Sequence, residues 1–213
     1  MYGARDVDRV WYAAYGSNMS RARFGFYLTG GRPPGCARSY PGCRDAVGPE
    51  ASVPVMMAGQ VYFALESAAW TGGMAFYDPA AAGLAAGRAY LMSPGQFSDV
   101  AAQEMHRLPE AGGGADVDLA EVLATGRAAL GSGRYETLVY VGDIDGRPVL
   151  TFTAPWGVGD VETSRPSERY LMLLAAGLAE SHGWLPSAVA EYLADLPGAR
   201  GAWGAADILR LLG

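Results

Sequence analysis

The hydrophobic pattern opens with Val10 to Tyr15, a β-branched and aromatic run that closes on Gly16-Ser17-Asn18. That is the pattern of a buried strand entering a tight loop. Phe24, Tyr27 and Leu28 then fall at helical spacing, with Ser20 placed to cap the helix and Gly30-Gly31 to end it. Pro33, Pro34, Pro41, Pro49 and Pro54 exclude regular structure over residues 32–54, which reads as an extended surface loop. Strands are expected over Met56 to Leu65, Gly73 to Tyr77 and Arg88 to Met92. Ser93-Pro94-Gly95-Gln96 is a capping box with proline at the first helical position, and the helix it starts runs to about His106.

A weaker helical segment, Asp118 to Leu130, stands between Gly-rich hinges, so residues 108–134 read as a helical surface insertion. Tyr135 to Asp143 and Pro148 to Thr153 flank Asp145-Gly146, the dipeptide a type I′ hairpin prefers. Pro166 opens a helix through Glu180, Pro186 one to about Leu196, and Ala205 to Leu212 a third. The order of elements lacks the βαβ alternation of a nucleotide-binding sheet. It predicts an α+β fold, a small mixed or antiparallel sheet closed into a barrel and surrounded by helices. No repeat or linker divides the chain, so residues 1–213 are expected to form a single domain.

Composition narrows the function. Half of the 213 residues are hydrophobic and 18% are charged, so the chain should bury a core. Sixteen basic residues against 22 acidic ones leave a net charge of −6. With no dense basic run, a nucleic-acid partner is not expected. Every basic residue is arginine, which excludes a Schiff-base or P-loop lysine and, with 30 glycines, points to a GC-rich genome. Cys36 and Cys43 form neither zinc spacing nor a disulfide framework, so they are expected to be reduced thiols and no metal site is expected. Arg5, Asp6, Asp8 and Arg9 stand where a signal peptide would need an apolar core. No apolar run reaches the roughly 18 residues of a membrane span. A cytoplasmic protein with no membrane partner is expected.

Familiar catalytic signatures are missing: there is no G-x-S-x-G, no G-x-G-x-x-G after a strand and no H-E-x-x-H. His106 and His182 read as solvated helical residues. Glu104 is more informative, because a helix starting at Ser93 places it within the stripe formed by Phe97, Val100, Ala101 and Leu108. A carboxylate there must find a partner, be neutralised or face a cavity. The periodicity leaves open a general acid/base or a salt bridge to a buried arginine. Tyr15-Gly16-Ser17-Asn18 is the second candidate, since successive amides before a helix can hold a carboxylate or a developing oxyanion.

Three stretches together resemble the γ-glutamylcyclotransferase family. The first is Trp11 to Met19, an apolar strand followed by Tyr-Gly-Ser-Asn. The second is Phe97 to Glu104, which matches the two apolar positions and the glutamate of an L-x-x-L-D-x-x-E helix but carries Ala101 at the Asp position. The third is Pro166 to Tyr170 through Gly177, then Gly183-Trp184-Leu185-Pro186, similar to a P-S-x-x-Y helix ending in G-L-P. The resemblance spans roughly residues 10–107 and 134–197. The Pro-rich loop and the 108–134 segment depart from it and put the substrate in question.

What the resemblance implies is a cofactor-independent reaction in which a γ-glutamyl amide closes on its own α-amine, releasing 5-oxoproline and a free amine. Glu104 would be the acid/base. The amides of Gly16, Ser17 and Asn18 would bind the substrate carboxylate or the oxyanion, and Tyr15 and Tyr170 would line the site, Tyr170 having core packing as an equal alternative. Arg44-Asp45 reads as a surface ion pair that could also meet the leaving group. The implied partner is a small γ-glutamyl amine or peptide, with the leaving amine and the oligomeric state left open. A member of the fold that only binds a metabolite or partner, and a hydrolase using Ser17 as nucleophile, are the alternatives.

Overall fold

A computed structural model describes residues 7–34, 38–67, 69–109 and 116–213. β1 (Val10–Ala14) is buried along its whole length, and α1 (Arg21–Thr29) follows a 3-10 turn at Ser17–Met19. Next come β2 (Ala51–Ala58), β3 (Gln60–Ser67), β4 (Gly72–Asp78) and β5 (Leu84–Met92). α2 (Pro94–Glu104), α3 (Ala120–Thr125), β6 (Arg127–Ala129), β7 (Thr137–Ile144) and β8 (Arg147–Thr153) lead to α4 (Glu168–His182), α5 (Pro186–Asp195) and α6 (Ala205–Leu211). The six-stranded sheet has the order β2-β5-β1-β8-β7-β6, and β3 pairs with β4 in a ribbon of its own. β1 runs parallel to β8, whereas β8–β7 and β7–β6 are antiparallel, so the fold is mixed α+β as expected.

The sheet is not closed, which corrects the expected barrel. β3 and β4 use their backbone groups on each other, from Gln60↔Asp78 to Ser67↔Gly72 with a bulge between Ala64 and Ser67. At one edge, β2 contains Pro54, which has no amide to donate; at the other, β6 is three residues long. The single strand expected over 56–65 is two strands, because Gly59 turns the chain at φ 118° where an added Cβ would stand 2.5 Å from the Asp78 carbonyl oxygen. The 32–54 loop is shorter than expected, since β2 begins at Ala51. The helix expected over 118–130 is also shorter: Gly126 ends α3 in the left-handed conformation and β6 then joins β7. Cys36 and residues 110–115 of the 108–134 segment lie outside the described residues.

The local signals hold where turn chemistry decides. Asp145 and Gly146 both have positive φ, as a type I′ turn requires, and Ser93 and Gln96 form both bonds of the capping box. The Arg23 amide reaches the Ser20 hydroxyl at 3.5 Å, as expected, whereas α4 starts at Glu168 instead of Pro166, because Ser167 caps it through the Tyr170 amide.

The chain divides into two compact units. Among the described residues, the first comprises residues 7–13 with those of Gly25–Val53 and Ala89–Pro155. Its core is aromatic: Tyr12 stacks on Phe152 at 5.0 Å, and Phe97 of α2 meets both rings near 6 Å. The second comprises Ala14–Phe24, Pro54–Arg88 and Trp156–Gly213. Phe63 of β3 meets Tyr170 of α4 edge-on at 6.1 Å, and Tyr62 packs on Phe76. The buried arginine of this unit, Arg88, pairs with Glu180 at 2.7 Å.

Candidate active site

In the second unit the Tyr15–Asn18 loop is built from β1 into the 3-10 turn. Met19 and Ser20 donate back to the carbonyls of Gly16 and Ser17, which closes the turn just before α1. Tyr15 is buried against Tyr77, with ring centroids 5.8 Å apart. α4 supports the loop from Tyr170 and Gly177, seven residues apart and hence on one helical face. The Tyr170 hydroxyl accepts from the Ala75 amide at 3.4 Å and stands 3.4 Å from the position of a Cβ on Gly16. Gly177 lets the helix approach so closely that an added Cβ would stand 2.7 Å from the Cβ of Met19. The structure therefore brings the predicted residues Tyr15, Gly16, Ser17, Asn18 and Tyr170 together.

Arg23 and Trp70 belong to the same cluster, although nothing local in the sequence marks them. The Arg23 Nε donates to the Ser17 hydroxyl at 2.9 Å, its guanidinium lies 4.9 Å from the Trp70 ring, and that ring stacks on Tyr170 at 5.0 Å. An arginine cannot accept a proton near neutral pH, so this contact does not activate Ser17 as a nucleophile.

In the first unit Glu104 closes α2. The helix ends there instead of near His106, and Leu108, expected on its buried stripe, is exposed. Phe97, Val100 and Ala101 are buried as predicted, but the helix also buries Gln96, Ser98, Asp99 and Gln103 and so is covered well beyond the apolar stripe. Asp99 accepts from the Arg44 amide and Nε, both at 2.8 Å, and Arg44 also pairs with Asp116. The expected Arg44–Asp45 surface pair is thus replaced by a pair with a buried carboxylate. The Asp45 carboxylate instead accepts from the Val47 amide.

Glu104 is half-buried, and its carboxylate accepts a hydrogen bond from the Tyr27 phenol of α1. Tyr27 stacks on Tyr40 with centroids 4.4 Å apart and hydroxyls 3.5 Å apart. Burial above all, and then the Glu104 charge, hold the Tyr27 hydroxyl well above the usual phenol range. Such a phenol stays protonated and acts as a donor. The free Cys43 thiol is pushed up to about 12, chiefly by burial, so it is no nucleophile near neutral pH.

Each histidine meets half of the expectation of a solvated helical residue. His106 is exposed but lies beyond α2, at φ 58°, and bonds Arg38 through Nδ1 at 2.8 Å; His182 is helical, at the end of α4, but half-buried, with Nε2 at 2.9 Å from the Gly87 carbonyl. Burial lowers both below the ordinary imidazole range, assisted at His106 by Arg38 and Arg134. Among the described residues no group of three or more His, Cys, Asp or Glu could hold a metal ion, and no helix is long and apolar enough to cross a membrane.

No protein-family model matches the chain. Among solved structures, an uncharacterized protein from Homo sapiens superposes over 95% of this chain and 99% of its own, with TM-score 0.52 and 15% identity. A gamma-glutamyl cyclotransferase superposes over the same shares with TM-score 0.51 and 15% identity. Histone deacetylase 5 of Arabidopsis thaliana is 30% identical over 202 residues, covering 87% of this chain and 30% of that protein. The chain thus spans less than a third of that relative's length. The resemblance seen in the motifs extends to the fold, which is that of gamma-glutamyl cyclotransferase.

Proposed function

We propose that this protein is a γ-glutamyl cyclotransferase that releases 5-oxoproline and a free amine from a γ-glutamyl amine or γ-glutamyl peptide. The observation that carries the reading is the placement of two motifs within this fold: Tyr-Gly-Ser-Asn joins β1 to α1, and the glutamate ends α2 with its carboxylate on a neutral phenol. The substrate's α-amine attacks its γ-carbonyl carbon, the five-membered ring closes, and the bond from that carbon to the leaving nitrogen breaks. The α-nitrogen loses two protons as the ring closes, one taken by Glu104 before the attack and one after it, and both end on the departing amine, which leaves as an ammonium ion, so no water or cofactor is consumed. The amides of Gly16, Ser17 and Asn18 hold the substrate carboxylate or the oxyanion, with Tyr15 and Tyr170 as walls. No nucleic acid or membrane enters this reaction, and the cytoplasm is the compartment the reading assigns.

The test is 5-oxoproline release, followed by mass spectrometry, from γ-glutamyl amino acids, γ-glutamylamines, glutathione and γ-glutamyl-capped amine metabolites. Glu104→Gln is expected to lower turnover by about 10²–10⁴-fold while the variant still folds. Undiminished activity in that variant would sink the assignment. One observation favours a second reading, a small-metabolite binder without turnover: Ala101 is fully buried where the family pattern has Asp. That reading predicts ligand-induced thermal shifts with no product.

A further inference from the structure

The last turns of α1 and α2 are cross-linked twice. Gln103, fully buried, donates its side-chain amide to the Tyr27 carbonyl at 2.9 Å, and the next residue, Glu104, takes the Tyr27 hydroxyl. The Cys43 thiol reaches the same Tyr27 carbonyl at 3.3 Å, and the Tyr40 ring covers the Tyr27 ring. Tyr27 is therefore pinned at its backbone by α2 and by the loop before β2, and at its ring by that same loop, and it is 3% exposed. A phenol held this rigidly can fix the direction of a carboxylate. Carrying a proton from the α-ammonium to the leaving amine depends on that direction, because small displacements of an acid/base cost large factors in rate.

We infer that Tyr27 is a positioning residue for the Glu104 carboxylate, with Tyr40 supporting it from behind. The inference rests on the cyclotransferase reading and deepens it. Tyr27 does not itself move the proton, since burial keeps its hydroxyl protonated. A phenol there merely to satisfy a buried group would leave turnover indifferent to its loss.

The experiment compares wild type, Tyr27→Phe and Tyr40→Phe in the 5-oxoproline assay, with the Glu104 side-chain carboxyl resonance followed by carbon-13 NMR and assigned through Glu104→Gln. Tyr27→Phe is expected to lower kcat by about 10–100-fold with KM changed by less than about threefold, and to move the Glu104 resonance. Tyr40→Phe should have a smaller effect on kcat. A kcat within twofold of wild type, or an unmoved resonance, in folded Tyr27→Phe overturns the inference while product release by wild type keeps the underlying reading. A wild type silent on every γ-glutamyl compound overturns that reading and this inference with it. If Tyr27→Phe does not fold, 3,5-difluorotyrosine placed at position 27 keeps the ring and alters only the strength of the donor, and an unaltered kcat there overturns the inference.

Discussion

At the residue scale, the charges on α2 show how far a sequence pattern reaches. Helical periodicity was enough to turn Glu104 inward, but it was silent on Asp99, which the same helix buries to 3% exposure. The partner of Asp99 is Arg44, 55 positions earlier in the chain, and no rule of local spacing connects the two. Asp99→Ala should cost about 2 kcal/mol, the usual range for losing charged hydrogen bonds to a buried acceptor. For a chain of this length that is a fall in Tm of about 4–8 °C, measured by calorimetry. A Tm within 1 °C of wild type would show that the Asp99–Arg44 contacts add nothing to stability. Tyr27 escaped for a related reason: phenylalanine would satisfy the same apolar period, and only the hydroxyl's destination makes it functional.

At the element scale, α4 acts as the backing of the Tyr15–Asn18 loop. Its cap at Ser167 and its left-handed end at Gly183 are written locally, whereas its close seat on the loop depends on Gly177 having no side chain. Gly177→Ala should overpack this contact at a cost of about 1–3 kcal/mol, lowering Tm and weakening whatever the loop binds. Gly25, inside α1, is its control, because nothing lies within 4 Å of an added Cβ. Gly25→Ala should instead stabilise by roughly 0.5–1 kcal/mol through helix propensity alone. Urea unfolding of both variants checks the pair, and equal midpoints would contradict the close seat of α4. The strand expected over 56–65 failed at this same scale, since one glycine within an apolar run looks like a tolerated interruption until the Asp78 carbonyl is seen to require it.

At the scale of the whole molecule, buried phenols tie stability to alkaline pH. Burial pushes Tyr77 and Tyr192 up to about 12, and Tyr27 is also raised well above the usual value near 10. Between pH 10 and 12 the unfolded chain releases protons that the folded chain keeps, so stability is full below pH 10 and falls as pH rises toward 12. Urea midpoints should be flat up to about pH 9.5 and decline beyond 10, together with phenolate absorbance; a constant midpoint through pH 11 would contradict the burial of these rings. The sequence by itself determined the features that close within about four residues: the Asp145-Gly146 turn, the Ser93–Gln96 capping box and the strand-loop-helix frame of Tyr-Gly-Ser-Asn. Their hydrogen bonds and φ values belong to neighbouring residues, so composition at fixed offsets decides them. Only the tertiary structure decided that β3 and β4 pair with each other and leave the six-stranded sheet open, that Arg44 serves Asp99, and that Glu104 rests on Tyr27. The last two outcomes depend on partners tens of residues apart, chosen by which buried polar groups could satisfy one another once the cores had formed.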